Sequence, residues 1–196
     1  MDVLELDYGE NEWLKDIQKQ TTRLTELTND LVYLAKMEEA DTAMQMIAFP
    51  ISDVIDEVSS SFHSLAQTQS KTFICKIQPM LTLKGDEKAI RQLASILLDN
   101  ALKYSPERGT VSLTLNRQGK TINLSVYNTT ASEMDPAKLP HLFDRFYRMD
   151  SSRNSQTGGH GIGLSIAQAV VNAHGGKIQA VTEDGRSLKI TASLPI

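Results

Sequence analysis

Cysteine is almost missing from the 196 residues. Cys75 stands alone, so no intrachain disulfide can form, and a reducing, cytosolic setting is the simplest reading. It lies in the run Phe73-Ile74-Cys75-Lys76-Ile77, which predicts a buried strand position rather than a reactive thiol. No apolar run approaches the roughly 18 residues that span a membrane. Asp2, Glu5 and Asp7 are acidic where a signal peptide would be basic. The chain as given therefore reads as soluble, with the topology of any longer parent left open. Excess positive charge is lacking too: at a net charge of −4 there is no nucleic-acid footprint, and no nucleic-acid partner is expected. The remainder, 40% apolar and 22% charged, suffices for one medium domain with a smaller appendage.

Glycine and proline are absent from Asn11 to about Met37. Ile17, Leu24 and Leu31 recur every seventh residue there, with Leu27 and Leu34 at the intervening positions. That stripe suits one seam of a helix bundle, a solitary surface helix being the plainer alternative. Lys15, Asp16, Lys19, Arg23 and Asp30 lie off it and are expected to stay wet. Ahead of it, Val3–Leu6 and Tyr8-Gly9-Glu10-Asn11 look like the tail of an earlier helix and a turn, so a helical hairpin with its first helix truncated is expected.

Met46–Phe49 ends at Pro50 as a linker into a second domain, which places the boundary between residues 1–45 and 46–196. Ser52 is a candidate cap for a helix whose apolar face is Val54, Ile55, Val58, Phe62 and Leu65. Strands are expected at Thr72–Ile77 and Leu81–Leu83, and a helix from about Glu87 to Tyr104. Alternation predicts one hairpin over Val111–Leu115 and Ile122–Val126, and another over Lys177–Val181 and Leu188–Leu194. A long irregular stretch, Asn128–His160, reads as a lid, mobile from about Ser132 and anchored by Phe143, Phe146 and Tyr147. A helix follows from Gly163 to His174. Hairpins with helices on one face make an α+β, two-layer α/β sandwich.

Two segments carry chemistry. Gly158-Gly159-His160-Gly161-Ile162-Gly163-Leu164-Ser165 runs into a helix. Glycines let backbone N–H groups approach an anion, and the helix N-terminus adds about half a positive charge. A phosphate cradle and a plain hinge both fit, but no Walker lysine follows and no strand precedes it directly. The second segment is Leu97-Leu98-Asp99-Asn100-Ala101-Leu102-Lys103-Tyr104-Ser105. Helical spacing gathers Asn100, Lys103 and Tyr104 on one flank. An amide oxygen for a metal, a cation for phosphate and a ring for a base suit a metal–nucleotide complex; an ordinary polar helix side also fits.

Leu97–Ser105 resembles the N box of bacterial sensor histidine kinases, Leu142–Arg148 their F box and Gly159–Leu164 their G2 box. Arg23–Leu31 resembles the second helix of their dimerisation and histidine-phosphotransfer domain. The resemblance implies the kinase ATPase fold preceded by a partial helical hairpin. It implies ATP with Mg²⁺ held by Asn100, phosphate contacts from Lys103, adenine packing by Tyr104, and backbone amides at Gly159, Gly161 and Gly163, with His160 and Leu164 in the same loop. Arg145 and Arg148 would contact phosphate or serve the helical domain. The γ-phosphoryl would pass to a histidine, then to an aspartate of a response regulator receiver domain. The partners implied are that regulator, the chain's own upstream helix and a second protomer, in a parent anchored in the inner membrane with this part cytoplasmic.

Three features depart from the family pattern. Asn128 stands where the adenine-reading Asp belongs, the two glycines after it are gone, and Asp135 is a poorly aligned substitute. Weakened ATP binding is expected, and a degenerate nucleotide-binding scaffold without kinase activity is the alternative reading. Ile96 cannot activate water as the Glu of gyrase-type ATPases does. None of His63, His141, His160 and His174 sits in a bundle helix with acceptor surroundings, so the catalytic histidine is expected upstream. His141 and His174 read as structural.

Overall fold

The computed structural model describes residues 12–38, 44–149 and 161–196. The first helix, α1, is Glu12–Glu38. It carries two stripes. Ile17, Leu24 and Leu31 of the heptad seam are exposed, whereas Leu34 is only 2% exposed and Leu27, Tyr33 and Met37 pack beside it on the core. Arg23, Leu27, Asp30, Leu34 and Met37, spaced four, three, four and three apart, are half-buried or buried together. That is one face of a helix, and it includes two residues expected to stay wet.

The second helix, α2 (Ile51–Thr68), begins at Pro50, whose ring sets φ at −76°. Ser52 is not its cap. Its hydroxyl donates to the Gln78 carbonyl at 2.7 Å and accepts from the Leu81 N–H at 2.9 Å, tying the loop after β2 (Thr72–Ile77) to the helix. Leu65 is exposed and Ala66 takes the inner position. The expected linker is itself a strand: β1 (Ile47–Phe49) pairs antiparallel with β3 (Leu83–Gly85), which starts where the expected strand at Leu81–Leu83 ends. Strands of three residues are too short to carry a period.

Helix α3 (Glu87–Tyr104) is capped by Asp86, whose Oδ1 accepts from the Ala89 N–H at 3.0 Å. After it come β4 (Thr110–Gln118) and β5 (Thr121–Thr129), then helix α4 (Gly163–Ala173) and the hairpin β6 (Lys177–Val181) and β7 (Ser187–Pro195). The main sheet has the order β2-β4-β5-β7-β6. It is mixed rather than antiparallel throughout, because β2 runs parallel to β4 with Thr72 opposite Thr110. Lying at the edge, β2 leaves Cys75 exposed, against the buried position expected of it.

Val111, Leu113, Leu115, Ile122, Leu124, Val126, Ile190, Ala192 and Leu194 line the inner sheet face and are buried with the inner sides of α2, α3 and α4. The fold is the expected α+β sandwich. The long stretch after β5 is not structureless throughout. Asp135 caps a 3-10 helix, Pro136–Phe143, by accepting from the Ala137 N–H at 3.0 Å, and Met134, Leu139 and Phe143 are buried. Asp135 is exposed and engaged as that cap. The earlier-helix tail expected at Val3–Leu6 lies outside the described residues.

Candidate functional site

Helix α3 supplies one wall of the site. A Cβ added at Gly163 would sit 3.5 Å from Ile96 Cγ2, so the start of α4 rests on α3 at Ile96. Asn100 lies one turn further along that face and Lys103 almost another, at about 5.4 Å per turn. The N-terminus of α4 thus packs on the helix that carries Asn100 and Lys103. Its cap residue, Ile162, has no side-chain oxygen to satisfy the first-turn N–H groups. Leu164 is buried, so only its backbone faces the site. Gly159 and His160 lie outside the described residues, as does the part of the expected mobile lid from 150 to 160.

Gly161 has φ +73°, and a Cβ there would come within 2.9–3.0 Å of the Phe146 backbone. The Phe146 N–H donates to the Gly161 carbonyl at 2.9 Å, which pins the two ends of the intervening segment together. Phe146 itself has φ +63° and is 60% exposed. The expected aromatic anchor is Phe143 alone, with Tyr147 half-buried and Phe146 fixed through its backbone.

Lys103 is half-buried. Burial lowers its pKa; the Asp99 carboxylate raises it, and the guanidiniums of Arg148 and Arg23 lower it again. Its ammonium stands 5.3 Å from the centroid of the Tyr104 ring, and Tyr104 is 45% exposed. The two arginines left open between phosphate and the helical segment now separate. The Arg148 guanidinium bears on Lys103 through its charge, lowering the lysine pKa. Arg145 lines a polar cleft with Met37, Asp144, Gln168 and Asn172, between the C-terminal ends of α1 and α4.

Asn128 is 3% exposed near the end of the central strand β5, paired with Val111 and Leu188, whose side chains face the helices. Its Nδ2 donates to the Thr129 carbonyl at 2.9 Å. The other histidines are tied elsewhere. His141 Nδ1 meets Asp144 Oδ2 at 2.8 Å on the surface, and exposed His63 sits edge-on to Phe73 at 5.9 Å. Buried His174 accepts the Asp86 N–H at Nε2 (3.0 Å) and donates from Nδ1 to the Val170 carbonyl (2.8 Å), joining the end of α4 to the start of α3.

Arg23, expected to stay wet, stands off the heptad seam on the half-buried face of α1. Among the described residues no group of three or more His, Cys, Asp and Glu could hold a metal ion, and no helix is long and apolar enough to cross a membrane.

Residues 85–196 match the family model described as histidine kinase-, DNA gyrase B- and HSP90-like ATPase. The chain is 34% identical over 170 residues to the probable sensor protein PcoS of Escherichia coli, covering 87% of this chain and 36% of that protein. It is 32% identical to the phosphate regulon sensor protein PhoR of Pseudomonas aeruginosa, covering 91% and 40%. Among solved structures, full-length ShkA in complex with AMPPNP superposes at TM-score 0.78 and 22% identity, covering 93% of this chain and 38% of that one. The Acinetobacter baumannii histidine kinase AdeS superposes at 0.71 and 20% identity, covering 97% and 88%. The chain thus spans about two-fifths of the length of the curated relatives it matches.

Proposed function

We propose that this chain, which belongs to the histidine kinase-, DNA gyrase B- and HSP90-like ATPase family, is the ATP-binding catalytic portion of a two-component sensor histidine kinase. The observation that supports the reading is the packing of the uncapped, glycine-entered N-terminus of α4 on Ile96 of α3, the helix that carries Asn100 and Lys103. An amide oxygen, a half-buried ammonium and oriented backbone N–H groups together fit a metal–triphosphate. Asn100 would hold a Mg²⁺ ion, whose charge would offset that of the phosphates.

ATP, when bound, supplies the γ-phosphoryl group, and its transfer to an imidazole nitrogen breaks the P–O bond to ADP. What the chain does is position and neutralise. Asn100 would hold the metal, Lys103 and the α4 N-terminus would draw the phosphates, and Arg148 would add positive charge. Tyr104 packs beside the base, and Asn128 reads it from the end of β5. Ile96 fills the place next to Gly163 with a methyl group, so no side chain there activates water. The acceptor histidine belongs to a preceding helix of the parent sensor, residues 1–45 being the end of its helical hairpin and residues 46–196 the catalytic domain. The partners are that helix, a second protomer, and the receiver domain whose aspartate takes the phosphoryl group onward. The parent is anchored in a membrane with this part in the cytoplasm.

The reading is tested with ATP radiolabelled at the γ-phosphate, Mg²⁺, and a separately made helical hairpin carrying an acceptor histidine. Label should enter the hairpin through an acid-labile, base-stable bond, and this chain alone should stay unlabelled. Labelling of the chain by itself would make one of its own histidines an acceptor and overturn the assignment.

A further inference from the structure

The last turn of α3 lacks a donor that an ordinary helix would have. In an α-helix the Leu102 carbonyl accepts from the N–H four residues on. Residue 106 is proline, which has no N–H to give. Pro106 also favours an extended Ser105, which has φ −73° and ψ 135°, so the helix stops there. Leu102 is buried, and a buried carbonyl without a donor is costly.

The donor comes from another element. The Lys71 ammonium, just ahead of β2, donates to the Leu102 carbonyl, and to Gln69 Oε1 at 2.9 Å. A cation there also meets the negative end of the α3 dipole. The backbone of Lys71 is set for this reach. Its N–H donates to the Ala66 carbonyl at 2.9 Å, after Ser70 turns the chain at φ +54°. The same turn grips the loop that follows α3. Arg108, left-handed at φ +59°, donates its N–H to the Ser70 carbonyl at 3.1 Å, and the Thr72 N–H donates to the Gly109 carbonyl at 2.9 Å. Lys103 and Tyr104 are the last two residues of α3, next to the carbonyl that Lys71 holds. A helix end frays where its carbonyls lack donors, and Asn100 lies further inside the helix.

We propose that Lys71 is a positioning residue of the nucleotide site: it stands in for the donor that Pro106 lacks, fixes the last turn of α3, and so aims Lys103 and Tyr104. This rests on the reading of the Asn100–Lys103 site as an ATP site. Lys71 touches no nucleotide in this scheme. It acts on affinity through Lys103 and Tyr104, and leaves the metal ligand Asn100 as it is.

The test titrates ATP, with and without Mg²⁺, into the 196-residue chain and its variants Lys71→Met, Lys71→Gln, Lys71→Arg and Asn100→Ala, each well below its melting temperature. Lys71→Met should bind about ten-fold more weakly under both conditions, on the order of one misaligned charge-assisted contact. The gain in affinity from Mg²⁺ should stay that of wild type, whereas Asn100→Ala should lose it. Lys71→Arg, which keeps a charged donor, should recover most of the affinity. Without nucleotide, amide exchange in Lys71→Met should quicken at Lys103, Tyr104 and Ser105 and not from Ile90 to Leu98. Should Lys71→Met not fold, Lys71→Gln, with a donor but no charge, should show the same pattern in weaker form. Lys71→Met that binds ATP as tightly as wild type, or that exchanges faster along the whole of α3, would overturn the positioning role. The site reading would still stand if Asn100→Ala lost its Mg²⁺ gain. If wild type does not bind ATP, both fall.

Discussion

Replacing Asn128 with Asp should push stability and affinity in opposite directions. The side chain is 3% exposed, and its Nδ2 donates to the Thr129 carbonyl at 2.9 Å. An Asp carboxylate has no hydrogen to give, so the exchange deletes that bond and sets two acceptors against each other. An unsatisfied buried acceptor costs about 1–3 kcal/mol. At the ~2–4 °C per kcal/mol typical of a chain this size, the nucleotide-free protein should melt roughly 2–12 °C lower. An adenine amino group would give the new carboxylate the donor it lacks. The charge-assisted bond exceeds the neutral amide's by about 1 kcal/mol, or roughly five-fold in affinity. Differential scanning calorimetry with and without Mg-ATP reads both quantities, and isothermal titration gives the affinity directly. Weaker ATP binding in Asn128→Asp would show that residue 128 does not face the adenine. An unchanged melting temperature would show that the Asn128–Thr129 bond is worth nothing.

Lys103→Met should raise the melting temperature of the nucleotide-free protein at neutral pH and remove its affinity for Mg-ATP. Burial first, then Arg148 and Arg23, hold the lysine pKa below its ordinary value. The folded state thus binds the proton less tightly than the unfolded one, a penalty in force at neutral pH that lifts as pH rises through the lowered value toward the ordinary one. The advantage of Lys103→Met should shrink in alkaline buffer, and a constant advantage would contradict this. His174→Ala should cost about 2–4 kcal/mol in urea unfolding, since it opens a void beside Gly85 and orphans the Asp86 N–H; a cost under about half a kcal/mol would show that this link is slack. Gly161→Ala meets both a left-handed φ and the Phe146 backbone, so it should lose the bond between the ends of the segment and weaken Mg-ATP binding, as read by titration.

The sequence was most legible where period and punctuation agree. The helix expected from about Glu87 to Tyr104 has those bounds in the structure, and both hairpins alternate in sequence as they do in burial. The three-residue strands β1 and β3 carry no period, so they passed as linker and as a strand two residues early. Ser52 looks like a cap in sequence, but Pro50 occupies that position and frees the hydroxyl to hold Gln78 and Leu81. Cys75 reads as buried from its neighbours, yet edge position is a property of strand order and not of any local run. Of the site, Asn100, Lys103 and the glycines were visible because one helix turn and one loop carry them. The covered face of α1 was not. The heptad stripe of α1 is the stronger pattern and points outward, while a second stripe, partly polar, is the one that meets the catalytic domain. Only packing shows that the second stripe is the covered one.

Titration of ATP into these 196 residues, with and without Mg²⁺, beside the same titration of Asn100→Ala, tests the central claim most directly. Wild type should bind ATP markedly more tightly with Mg²⁺ than without, and Asn100→Ala should lose that difference. Mg²⁺-dependent binding that survives unchanged in Asn100→Ala, or no binding of ATP by wild type, would contradict the account.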